Sequence, residues 1–256
     1  MEQTELAMKV GYDGLGDRLS SAVRTVLMLV FWALALPIAA LIGMPWTYLT
    51  KDIRFFYRTC MWGAWTGVRI AGVKVKTIGL EKIDPARTYI YMSNHISNLD
   101  PPIMLPLIPI RTSVMVKKEL FKWPLLGETM RIGQLVPVDR GNREAGISAV
   151  REASKVIRSG VSMTIYIEGH RSFDGRLLPF KKGPFHLAEE CRVPVVPITI
   201  SGTEHAMPKA RFGIQPELVT VLFHDPIEPA DFGTREELTA KVRAAINGGL
   251  PPELQE

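Results

Sequence analysis

The amino-acid sequence predicts an α/β protein with a largely parallel mixed sheet flanked by helices, preceded by an N-terminal membrane-associated helical pair. Three observations carry this expectation. After Gly72, short β-rich runs alternate with helix-like segments, the pattern of a parallel sheet with crossover helices. From Thr25 to Thr50 no residue is charged, a stretch longer than the about 20 apolar residues that cross a bilayer core. The composition, 46% hydrophobic and 22% charged, is globular and excludes a disordered or collagen-like chain. The expected division is residues 1–72 as the membrane-associated helical region and residues 73–256 as the α/β domain.

The first element holds the run VLMLVFWALALPIAALIGMPW, interrupted by Pro37 and Pro45. Proline removes a helical donor and kinks a helix, so a bend is expected near one of the two. Basic residues flank both ends, Arg18 and Arg24 before and Lys51, Arg54 and Arg58 after. A charge bias on both sides gives no spanning orientation and fits a helical pair with both ends on one face. The second element, Phe55–Val73, is aromatic-rich and reads as a helix in the interface, with Trp62 and Trp65 at headgroup depth. Its alternative is a core helix of the soluble domain. Ala33-Leu34-Ala35 resembles a signal-peptide cleavage site, but the apolar run continues past it.

In the body, strands are expected at Val73–Ile78, Tyr89–Ser93, Ser113–Val116, Leu135–Val138, Val161–Ile167, Val195–Ile200 and Leu218–His224. A helix is expected over Arg143–Ser159, with Ile147, Val150, Ser154 and Ile157 on one face, Asn142 as cap and Gly160 at its end. A late helix opens at the capping box Thr234-Arg235-Glu236-Glu237 and is expected to end before Gly248-Gly249.

The 31 Lys+Arg against 26 Asp+Glu give a charge of +5, which suits an anionic partner. Nucleic acid has little support, because no long basic tract, zinc-finger spacing or RNA-binding signature is present. Cys60 and Cys191 build neither a disulfide framework nor a four-cysteine zinc site, which points to a reducing compartment.

Chemistry in such sheets collects at the carboxyl ends of strands. Directly after the second expected strand comes Asn94-His95-Ile96-Ser97-Asn98-Leu99-Asp100-Pro101. On one helix His95 and Asp100 would lie about 140° apart, so only a loop can pair them. Asp100 then has two readings. It is the N-cap of a helix whose first residue is Pro101, or it orients His95 as a general base. No serine sits in a nucleophile elbow and neither cysteine lies near a histidine, so a base here must act on the hydroxyl of a substrate. A second constellation, Tyr166-Ile167-Glu168-Gly169-His170-Arg171-Ser172, lies at the end of the fifth strand and is followed by Pro179-Phe180-Lys181-Lys182-Gly183. Its glycine permits close backbone approach and its arginine offers a fork for phosphate oxygens, although an ordinary charged turn reads the same way. Lys117, Lys118 and Arg140 lie beside other strand ends.

Together these segments resemble the glycerolipid acyltransferases, whose best-known members acylate lysophosphatidic acid. Asn94-His95 with Asp100 is similar to the first signature block of that family, and Val116-Lys117-Lys118-Glu119-Leu120 to its lysine-bearing segment. Gly133 through Val138-Asp139-Arg140 is similar to the second block, Glu168 through Ser172 to the third, and Val193 through Ile198 to the fourth. Ile167 stands where proline usually precedes the glutamate, and His170 where threonine is usual. The resemblance implies acyl transfer from acyl-CoA or acyl carrier protein, as co-substrate, to the sn-2 hydroxyl of lysophosphatidic acid. Glycerol-3-phosphate and lyso-ornithine lipid are alternative acceptors, and lipid or thioester hydrolysis and a non-catalytic membrane adaptor are alternative roles. It implies His95 and Asp100 as the catalytic pair and Lys118, Arg140, Glu168, Gly169 and Arg171 as phosphate-binding residues, with Lys117 as a further candidate. It implies neither metal nor organic cofactor, and a location on the cytoplasmic face of the bacterial inner membrane, with the bilayer as partner.

Overall fold

The computed structural model describes residues 14–139, 143–209 and 213–256. Helix α1, Leu15–Thr50, runs unbroken through Pro37 and Pro45. The expected bend at a proline is therefore not where the chain turns. Each proline costs one backbone bond, and between the two the helix is locked to its neighbour by Ala40 and Gly43, both buried. The reversal comes at Lys51, whose φ of 59° ends the helix while its amide still donates to the Thr47 carbonyl. Helix α2, Arg54–Ile70, then returns along α1. Small residues let the two approach: a Cβ on Gly43 would sit 2.2 Å from Phe56 Cδ2, and one on Gly67 2.1 Å from Trp32 Nε1. The Trp32 indole donates to the Gly63 carbonyl at 3.1 Å.

This hairpin is half core and half surface. Phe56, Gly63, Gly67 and Val68 of α2 are buried, whereas Phe55 and Trp62 are exposed. Met28 of α1 joins Val68 and Ala71 in the same buried cluster as Tyr91, Ile198 and Val221 of the sheet. Thr25 Oγ1 accepts the Ile214 amide at 2.9 Å, and the Tyr48 hydroxyl donates to Glu128 at 2.7 Å. The outer face of α1 exposes Val26, Val30, Leu34, Ile38, Leu41, Ile42 and Leu49. By length and composition it is, among the described residues, the one helix able to cross a bilayer.

The sheet has seven strands: β1 Lys74–Ile78, β2 Ile90–Ser93, β3 Thr112–Lys117, β4 Val136–Val138, β5 Ser162–Tyr166, β6 Val195–Ser201 and β7 Leu218–Phe223. All fall where the sequence places them, with ends shifted by a residue or two. Their order is β1-β7-β6-β2-β5-β3-β4. Neighbours are parallel except β6 and β7, so β1 and β7 run against the other five. Helices α3 (Asp100–Met104), α4 (Leu126–Ile132), α5 (Arg143–Arg158), α6 (Lys182–Cys191), α7 (Thr203–Ala206) and α8 (Arg235–Gly249) complete the chain. Helix α5 matches its expected span, while its expected cap Asn142 lies outside the described residues. Thr234 caps α8 by accepting the Glu237 amide, as the capping box predicts. Helix α8 continues through Gly248 and Gly249, because the bare backbone of Gly249 packs on β6: a Cβ there would meet Thr199 Oγ1 at 2.5 Å.

One consequence of this order positions the site. Strands β6, β2, β5, β3 and β4 are adjacent and parallel, so the segments following them emerge along one edge. Those segments begin at residues 202, 94, 167, 118 and 139.

Candidate active site

The central position belongs to the loop after β2. Asn94 clamps its start to β6: its amide nitrogen donates to the Ile200 carbonyl and its oxygen accepts the Ile200 amide, both at 2.8 Å. Ser97 Oγ donates to the Met207 carbonyl at 2.8 Å and accepts the Leu99 amide. The loop so fixed folds back on itself and brings His95 Nδ1 within 2.7 Å of Asp100 Oδ2. The same oxygen accepts the amides of Ile96 at 2.8 Å and Ser97 at 2.9 Å. An oxygen that receives two amides is an acceptor towards the imidazole too, so Nδ1 carries a proton, and the neutral form of the ring has its lone pair on Nε2.

This geometry revises the capping expectation. Asp100 is the first residue of α3, not the residue before it, and Pro101 is the second. Its carboxylate points back into the loop rather than capping the amides of the first turn, two of which are absent because Pro101 and Pro102 stand there. Asp100 is fully buried, His95 is 7% exposed, and the Tyr166 ring stacks on the imidazole with centroids 4.2 Å apart.

Glu168 stands directly behind this loop. Its Oε1 accepts the His95 amide at 3.0 Å and its Oε2 the Leu178 amide at 3.1 Å. It is 2% exposed, and burial pushes its carboxyl up to about 7 despite the opposing pull of those two amides. Both oxygens are thus directed at backbone, on the inner side of the loop. Ile167, where the resemblance leads one to expect proline, donates its amide to the Ser93 carbonyl at 3.1 Å, a bond proline could not make. Gly169 has φ +75°, the left-handed region that favours glycine, and turns the chain outward to exposed His170. Ser172 donates its amide to the His95 carbonyl at 2.8 Å, so the third segment grips the first from both sides.

Arg171 is partly exposed beside this contact. Lys118, at the end of β3, is ion-paired with Asp139 at the end of β4, and Lys117 lies 3.7 Å from Glu119. Arg140 lies outside the described residues. The edge therefore gathers His95, Asp100, Lys118, Glu168, Gly169 and Arg171 through strand adjacency. Sequence reasoning missed three contributors. Asn94 is legible in the sequence only as part of a motif, because the backbone its side chain clamps is that of Ile200, 106 residues away. Tyr166 stands in the second constellation without a role and Lys209 carries no signal, since only the third dimension brings them to the histidine and to Arg171.

The chain is similar to known proteins. It is 36% identical over 190 residues to the 1-acyl-sn-glycerol-3-phosphate acyltransferase of Limnanthes douglasii, covering 74% of this chain and 66% of that one. It is 34% identical over 131 residues to the human 1-acyl-sn-glycerol-3-phosphate acyltransferase alpha, covering 51% of this chain and 46% of that protein. The chain thus spans just under two thirds of the plant relative and under half of the human one. Among solved structures, the 1-acyl-sn-glycerophosphate acyltransferase of Thermotoga maritima superposes with a TM-score of 0.75 at 26% identity, covering 90% of this chain and 95% of that one. The profile of the Acyltransferase family matches residues 74–201, from the first residue of β1 to the last of β6. That match takes in half of the chain and encloses the His95 loop together with the strand edge that holds it, and on this ground the chain belongs to the Acyltransferase family.

Proposed function

We propose that the protein moves a fatty acyl group from acyl-CoA or acyl carrier protein to the sn-2 hydroxyl of lysophosphatidic acid, giving phosphatidic acid, at the cytoplasmic face of a membrane. The observation that carries this reading is the 2.7 Å contact between His95 Nδ1 and Asp100 Oδ2 on a loop fixed by Asn94, Ser97 and Glu168. It leaves Nε2 as the base. The acceptor hydroxyl gives its proton to Nε2 as its oxygen bonds to the thioester carbonyl carbon. The carbon–sulfur bond then breaks, and the imidazolium returns the proton to the departing thiolate, so the histidine ends as it began. Asp100 holds the tautomer and steadies the imidazolium between the two transfers.

Arg171, Lys118, Gly169 and Arg140 serve the acceptor's phosphoglycerol end in this reading. Glu168 serves the histidine instead, as a buried acceptor holding the His95 amide. The exposed apolar face of α1, with Arg18 and Arg24 at one end and Lys51, Arg54 and Arg58 at the other, supports attachment to an anionic leaflet. The test offers lysophosphatidic acid, glycerol-3-phosphate and lyso-ornithine lipid together with acyl-CoA, and separately with acyl carrier protein thioester, and identifies products by mass spectrometry. Phosphatidic acid from the wild type and none from His95→Ala is the expected result. Free fatty acid without acylated lipid would make the protein a hydrolase.

A further inference from the structure

Lys209 follows β6 in a segment that no signature block includes. The segment is seated against the His95 loop by Ser97 Oγ, which donates to the Met207 carbonyl at 2.8 Å, and it is tied to itself by the Gln215 amide, which donates to the Ala206 carbonyl at 2.8 Å. From there Lys209 Nζ donates to the Arg171 carbonyl at 2.7 Å and lies 3.5 Å from the centroid of the exposed Phe173 ring. The next residue, Ser172, donates its amide to the His95 carbonyl at 2.8 Å. Two hydrogen bonds and one peptide unit therefore connect the ammonium to the backbone of the histidine.

Arg171 and Lys209 are cationic neighbours. Partial burial and the Arg171 charge together hold the Lys209 ammonium below its ordinary range. Among the described residues neither is ion-paired with a carboxylate. Two like charges held together by backbone contacts repel until an anion joins them. An ammonium has three protons, and only one is taken by the Arg171 carbonyl.

We propose that Lys209 binds the acceptor together with Arg171, and that the pair selects a phosphomonoester head group over a phosphodiester. This deepens the transferase reading and rests on it. A phosphomonoester carries about −1.5 to −2 charges at pH 7 and balances both cations. A phosphodiester carries a single charge and leaves one cation uncompensated. Arg171 alone does not make this distinction, because a guanidinium fork fits two oxygens of either group.

The test uses the full-length protein in mixed micelles, with lysophosphatidic acid and lysophosphatidylglycerol as the two probes. Binding is titrated without thioester, and kcat and KM are measured with acyl-CoA. Lys209→Gln keeps an N–H donor for the Arg171 carbonyl but removes the charge, and Lys209→Arg keeps both. We expect Lys209→Gln to weaken lysophosphatidic acid binding and raise its KM by roughly 10- to 100-fold, the worth of one charge-assisted hydrogen bond. Lysophosphatidylglycerol binding should change by less than about 3-fold, and Lys209→Arg should restore the discrimination. Equal binding of lysophosphatidic acid by wild type and Lys209→Gln overturns the proposal, as does an equal loss for both lipids. A fall in kcat with unchanged KM also overturns it, because that is the mark of a residue that merely holds a loop. Discrimination in binding by a wild type that makes no phosphatidic acid would leave Lys209 in its role and remove the transferase reading.

Discussion

Replacing Glu168 by glutamine takes away one of the two acceptors that fix the inner side of the His95 loop. The two carboxylate oxygens accept the amides of His95 at 3.0 Å and Leu178 at 3.1 Å, and the side chain is 2% exposed. A carboxamide has one oxygen, so its NH2 must face one of those N–H groups with no water to separate them. A buried donor left without its acceptor costs about 1–3 kcal/mol, and converting a charge-assisted bond to a neutral one adds about 1 kcal/mol. A total of about 2–4 kcal/mol corresponds to a fall in melting temperature of roughly 4–16 °C for a chain of this size. If the glutamine turns its oxygen to Leu178, the His95 amide is the one released, and the base moves relative to the acceptor. Misplacement of a catalytic group by about 1 Å costs on the order of 100-fold. The expected result is therefore a kcat reduced about 100-fold with the KM for lysophosphatidic acid changed less than about 3-fold. Stability carries a second signature. With its carboxyl raised from 4.5 to about 7, folded wild type retains a proton across that interval that the unfolded chain has released. Wild-type stability relative to Glu168→Gln should then decline as pH rises from about 4.5 to about 7 and level off above it. Steady-state kinetics with calorimetric melting at several pH values reads both. A raised KM with unchanged kcat would refute the reasoning, for it would put Glu168 against the substrate phosphate instead of behind the histidine.

Asp100→Asn should cut kcat by about 10²–10⁴, because a carboxamide cannot stabilise the imidazolium. Since Asp100 caps no amide of α3, activity within a few-fold of wild type would remove the pair from the mechanism. Arg171→Lys should raise the acceptor KM although the charge is kept, because an ammonium cannot make a two-pronged contact with phosphate; unchanged kinetics with lysophosphatidic acid would place Arg171 outside the site. Leu34→Gln with Leu41→Gln, at positions 62% and 78% exposed on α1, should reduce co-sedimentation with anionic vesicles while shifting the melting temperature by less than about 3 °C. Undiminished sedimentation would show that this face does not meet lipid. Removing residues 1–50 altogether is expected to give insoluble protein, because Met28 and the Thr25 hydroxyl are built into the domain.

What the chain's own order of residues determined is local. Seven strands announced themselves by β-rich runs with turn residues at their ends, the Thr234 cap by its box, and the apolar run of α1 by its missing charges. The chemical types at the strand ends were equally legible, since a histidine and an aspartate five apart after a strand can meet only through a loop. Tertiary structure decided which strand ends lie side by side. The order β6-β2-β5-β3-β4 is set by sheet pairing over long separations, and it alone puts Glu168 behind His95 and Lys209 beside Arg171. It also decided the direction of the Asp100 carboxylate, which depends on where Asn94 and Ser97 anchor the loop to the segments of β6 and Met207 more than 100 residues away. The turn of the hairpin followed the same rule. A proline's local cost is one hydrogen bond, and close packing of Gly43 on Phe56 and of Gly67 on Trp32 outweighed it, so the chain reversed at Lys51.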